Sequence, residues 1–200
     1  LQTIPRELII LGMGPSAWLC PFDTEVWGLN MGWKLAQQDG HKLDKLFLAH
    51  TQIYSLEGNP FFDWDKLNKQ DFEIVSLHRV KELRATIFPL KRISKKFQTD
   101  YFSNTVCYML AYALDKCTDS NLGLRLNHPY NKFRLYGVDM LQQEEYRDEK
   151  GGIEFWLGLA KGIGIPCEIS PISEVLVTTS GRPYGLRGKK KKAFSRQRGK

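Results

Sequence analysis

At 200 residues, 42% of them hydrophobic, the chain can bury one sizeable core, so a single domain is expected over residues 1–186. No run approaches the roughly 20 apolar residues of a membrane span, and the opening "LQTIPREL" lacks the apolar stretch of a signal peptide, so a cytoplasmic protein is expected. Net charge is +7, yet residues 187–200, "RGKKKKAFSRQRGK", hold eight Lys or Arg and no acid; the rest is close to neutral, and this tail is expected to be disordered and drawn to DNA or another polyanion.

In chain order, "ELIILGMG" predicts a buried strand that breaks into glycine, and "EVWGLN" (25–30) a second after a very short connection. "DKLFLAH" (44–50), "DFEIVSL" (71–77), "KFRLYGVD" (132–139) and "IPCEIS" (165–170) predict further strands. Residues 51–100 are otherwise irregular, with "GNPFFDW" a candidate loop or lid. In "FSNTVCYMLAYALDK" the positions Val106, Met109, Leu110, Ala113 and Leu114 follow helical spacing, with Ser103 as the N-cap. "GIEFWLGLAKGIG" spaces Phe155, Leu159 and Ile163 as a second helix. Strands alternating with helices predict an α/β domain, a Rossmann-like parallel sheet covered on both faces. Cys20, Cys107, Cys117 and Cys167 stand far apart without metal-ligand spacing, which predicts free thiols and no zinc.

In open α/β sheets ligands bind beyond the carboxyl ends of the strands. There Gly12 and Gly14 remove side chains so that backbone N–H groups can approach an anion, Pro15 starts a helical turn and Ser16 offers a hydroxyl. A plain strand-to-helix turn explains the same residues. "GMGPSA" has Ala17 where the dinucleotide fingerprint needs its third glycine, and no GxxxxGK[ST] loop occurs. Asn30, His50 and Asp139 close other strands, while Ser103, Asn104 and Thr105 open the long helix, where free N–H groups favour phosphate. Singly each has a structural explanation; together they predict a nucleotide site on one rim.

The series "LIILGMGPS", "EVWGLN", "FSNTVCYMLAYAL" and "LYGVDMLQQEEY" resembles, in order, the bacterial sialyltransferases that use a CMP-sugar. It also resembles motility-accessory-factor-type glycosyltransferases and related small phage proteins, over about residues 8–176. The resemblance implies nucleotide contacts at Gly12, Gly14, Pro15, Ser16 and Asn30. It places Ser103 and the neighbouring Asn104 at the donor site, Asp139 in the family's strand-end motif, and Tyr146 on the donor phosphate. It also implies a metal-independent transfer of a glycosyl group from a sugar nucleotide to a hydroxyl, with no other cofactor, in a bacterial or phage-infected cell. The chain departs from the family in having His50 where an asparagine is usual, and no histidine in "RDEKGGIEFW", where the general base is expected. His50, Asp148 and Glu149 are therefore the candidate acid–base residues. Two alternatives stay open: a binding module without catalysis, and a nucleic-acid-modifying protein anchored by the tail, with Phe61, Phe62 and Trp64 available for stacking.

Overall fold

The computed structural model describes residues 6–50, 63–140 and 144–178. The expectations on Phe61, Phe62, the 187–200 tail and the side chain of Tyr146 lie outside those residues.

Seven strands form one parallel sheet: β1 (Arg6–Leu11), β2 (Glu25–Leu29), β3 (Lys45–Leu48), β4 (Glu73–Ser76), β5 (Thr86–Ile87), β6 (Tyr130–Tyr136) and β7 (Cys167–Ile169). Their order is β5-β4-β3-β2-β1-β6-β7, and every pairing is parallel. The chain steps outward from β1 to β5, then crosses back to place β6 on the other side of β1. The winding therefore reverses between β1 and β6, and in open α/β sheets ligands bind beyond the carboxyl ends of the strands at such a point.

The apolar runs follow from burial on both faces. In β1, Leu8 and Ile10 join one core cluster and Ile9 and Leu11 the other, all at 0% exposure. The first cluster is covered by α3 (Leu90–Phe97), α4 (Thr105–Cys117) and α5 (Glu144–Gly162). The second is covered by α1 (Gly32–Gln38), α2 (Trp64–Asn68) and the 3-10 turn Pro15–Leu19.

Several expectations are corrected in detail. Asn104, not Ser103, caps α4: its side chain accepts the Cys107 N–H at 3.1 Å. The last helix starts at Glu144, well before the expected 152. Residues 63–100 fold into α2, β4, β5 and α3, and Trp64 packs against the second core cluster. All four cysteines are free; Cys20, Cys107 and Cys117 are buried and Cys167 partly so. Among the described residues no helix is long and apolar enough to cross a membrane. The two sheet edges are short. β5 is an exposed pair of residues, and beside the three-residue β7 Lys132 pairs with Glu168 at 2.6 Å.

Candidate functional site

The carboxyl ends of β3, β2, β1 and β6, neighbours in that order, carry His50, Asn30, the Gly12–Pro15 turn and Asp139. Helix α4 ends beside the start of β6, with Cys117 against the Tyr130 carbonyl. Its other end, with Ser103 and Asn104, accordingly lies toward the carboxyl side of the sheet.

The glycines of the β1 turn serve a close approach between loops. Gly12 N–H donates to the Tyr136 carbonyl at 2.8 Å and Gly14 N–H to the Gly137 carbonyl at 2.7 Å. A Cβ on Gly12 would overlap that Gly137 carbonyl, and one on Gly14 would lie 2.7 Å from Asp139 Oδ2. The two N–H groups expected to meet an anion are thus directed into the β6 turn. Pro15 begins the 3-10 turn. Ser16, at 0% exposure, donates its hydroxyl to Asp139 Oδ1 and its N–H to Asp139 Oδ2 at 2.6 Å. It accepts the Gly137 N–H at 2.7 Å.

Two further pairs occupy the rim. Asn30, in the left-handed region at φ 47°, tolerates a turn that few residue types accept. Its Nδ2 stands 2.9 Å from His50 Nε2, so with the amide donating, the imidazole proton sits on Nδ1. The other amide atom, Oδ1, is buried without a hydrogen-bond partner among the described residues. Just before α4, Ser103 donates to the Glu149 carbonyl at 2.7 Å, and the cap Asn104 donates from Nδ2 to the Glu149 carboxylate at 3.2 Å. The cap residue of α4 is thereby tied to α5. Asp148 is exposed.

The structure thus brings the predicted residues together as three hydrogen-bonded groups: Ser16 with Asp139, Asn30 with His50, and Ser103 and Asn104 with Glu149. Sequence reasoning missed His78. Leu48 on β3 pairs with Ser76 on β4, and two residues further on stand His50 and His78. The parallel endings "FLAH" and "VSLH" were the available signal. His78 Nε2 is buried and has no partner among the described residues, while its backbone is fixed by reciprocal bonds with the Ser76 hydroxyl.

This geometry can be set beside known proteins. No protein-family model matches the sequence, and no curated protein is similar to it. Among solved structures, the sialyltransferase CstII from Campylobacter jejuni matches with a TM-score of 0.50 at 18% identity, over 84% of this chain and 81% of that one. The chain has the fold of that sialyltransferase. The CstII structure is a complex with a substrate analogue, cytidine-5'-monophosphate. At this identity the likeness concerns the path of the chain through a Rossmann-like sheet, and roles for individual residues rest on the geometry above.

Proposed function

We propose that the chain binds a nucleotide or sugar nucleotide at the carboxyl edge of β1, β2 and β6 and transfers its glycosyl group to a hydroxyl acceptor. The observation that carries this reading is Asn30: a buried amide oxygen without a partner among the described residues, on the strand end next to the point where the sheet winding reverses. A buried acceptor left unpaired costs about 1–3 kcal/mol, which a ligand N–H or O–H would recover. The exocyclic amine of a cytosine or a ribose hydroxyl fits that requirement. The shared fold with a sialyltransferase solved with cytidine monophosphate supports the same choice.

In this reading the Gly12–Pro15 turn forms the floor beside the phosphate, and Asn104 and Ser103 hold the opening of α4 against α5. Tyr146 would donate to the phosphate. His50, Asp148 and Glu149 are the candidate acid–base groups; His50 can take a proton at Nε2 only once its bond from the Asn30 amide opens. In the transfer, the acceptor oxygen forms a bond to the anomeric carbon while the bond from that carbon to the donor phosphate breaks. The phosphate leaves with the electron pair, and the acceptor's proton passes to the base. Donors aimed at the departing phosphate stabilise the charge that develops there.

Calorimetry with CMP and UMP tests the reading. Wild-type protein should bind one of them, and Asn30→Ala should weaken binding by about tenfold, the value of one hydrogen bond near 1.4 kcal/mol. Absence of binding to either nucleotide and to their sugar conjugates would refute it. Binding of a CMP-sugar with no CMP released, with or without simple acceptors, would reduce the protein to a binding module.

A further inference from the structure

Ser16 and Asp139 stand 123 residues apart in the chain and are almost completely enclosed, at 0% and 2% exposure. A hydroxyl has one proton to give and two lone pairs. The Ser16 proton goes to Asp139 Oδ1, and one lone pair receives the Gly137 N–H at 2.7 Å. The Ser16 N–H takes the second carboxylate oxygen at 2.6 Å. The acidic residue is itself held from behind: its carbonyl accepts the Glu174 N–H at 2.8 Å, and Ser173 donates to the Val138 carbonyl at 2.6 Å. The Ser16 hydroxyl and the Asp139 carboxylate therefore join the turn after β1 to the turn after β6, beside the backbone bonds of Gly12 and Gly14, and backbone carbonyls of the second turn hold the segment after β7.

We infer that Ser16 and Asp139 are positioning residues, a buried latch that sets the Gly12–Pro15 turn against the turn after β6 without touching a ligand through their side chains. Hydrogen bonds to an ionised carboxylate are about twice as strong as neutral ones, and burial removes the competition from water, so the latch holds the turn in one geometry. What the turn leaves open to a ligand is then its exposed part, Met13 and Pro15, with Gly14 half-buried. The consequence for nucleotide affinity rests on the function proposed above; the latch itself does not.

Two measurements separate them. Hydrogen exchange of the ligand-free protein, followed at the Ser16 and Gly137 amides, should show both protected in wild type and at least about tenfold faster in Ser16→Ala, with far-UV circular dichroism unchanged. Equal exchange in the two proteins would overturn the latch whether or not any nucleotide binds. The second measurement is a double-mutant cycle on CMP affinity with Ser16→Ala, Asp139→Asn and the double variant. If the two residues act as one latch, the double variant should bind no more weakly than the worse single variant, about tenfold below wild type. Losses that multiply, to about a hundredfold, would mean that each residue meets the ligand separately, and the assignment would fall. Should Asp139→Asn fail to fold, the exchange comparison with Ser16→Ala decides alone. If wild type binds no CMP, the functional proposal fails and the exchange result still decides the latch.

Discussion

Replacing Gly14 by alanine tests how tightly the β1 and β6 turns are pressed together. Gly14 has φ −73° and ψ 173°, an extended conformation open to any residue, so the substitution carries no backbone strain. By shrinking the conformational freedom of the unfolded chain it should gain about 0.4–1 kcal/mol. Against this, the new Cβ would stand 2.7 Å from Asp139 Oδ2 and 2.8 Å from the Gly137 carbonyl, whereas ordinary contact begins at 3.4 Å. The turns must separate by about 0.7 Å, enough to carry the 2.7 Å Gly14–Gly137 bond beyond the usual limit of about 3.2 Å. Losing that bond costs about 1 kcal/mol, and weakening those from Ser16 to the Asp139 carboxylate about 1.5–3 kcal/mol more. The net loss is about 2–3 kcal/mol, within the roughly 5–15 kcal/mol that holds a domain together. With a urea slope of about 2 kcal/mol per molar, the denaturation midpoint should fall by about 1 M. A midpoint that stays or rises would show that the turns yield freely, and the account of the glycines would be wrong.

Two more predictions concern buried ionisable groups. Burial would raise the Asp115 carboxyl, but hydrogen bonds from Arg92 and Lys96 outweigh it and hold it below its ordinary value. A folded-state pKa depressed in this way contributes stability above the unfolded value of about 3.9, which is lost as pH falls through the folded value. The stability gap between wild type and Asp115→Asn should accordingly be constant from pH 7 to 5 and shrink on further acidification; a gap that widens toward pH 2 would contradict the pairing. Burial pushes the Cys20, Cys117 and Cys167 thiols up to about 11 and raises Cys107 as well. Ellman's reagent at pH 8 should react slowly with folded protein, Cys167 first, and with all four thiols after unfolding; a rapid stoichiometric reaction of native protein would count against it.

The strands were legible because both faces of the sheet are buried, which turns each into an apolar run. Their ends were less so. "KFRLYGVD" reads as continuous, yet β6 stops at Tyr136 because Gly137, at φ 68°, bends the chain away. Helix α3 escaped notice although Leu90, Ile93 and Phe97 of "LKRISKKF" stand at helical spacing and face the core, because the run is only eight residues long. The cap of α4 was misread between two suitable neighbours, and the choice fell to Asn104 once α5 engaged the Ser103 hydroxyl. The turn after β1 announced a close approach, but not that its partner is the carbonyl of Gly137, more than a hundred residues on. Local sequence marks where a side chain must be absent; only tertiary structure tells what fills the space.

The short borders of the sheet bear on how the molecules meet one another. A long, flat, apolar edge strand is a template for a neighbour's backbone. Here one border offers two residues and the other three. Around the first, exposed Lys81, Arg84, Lys91 and Lys95 outweigh the exposed Glu82, so two copies approaching there border to border would meet a net like charge before any ladder could form. Crowding many molecules together should therefore not stitch their sheets into fibres.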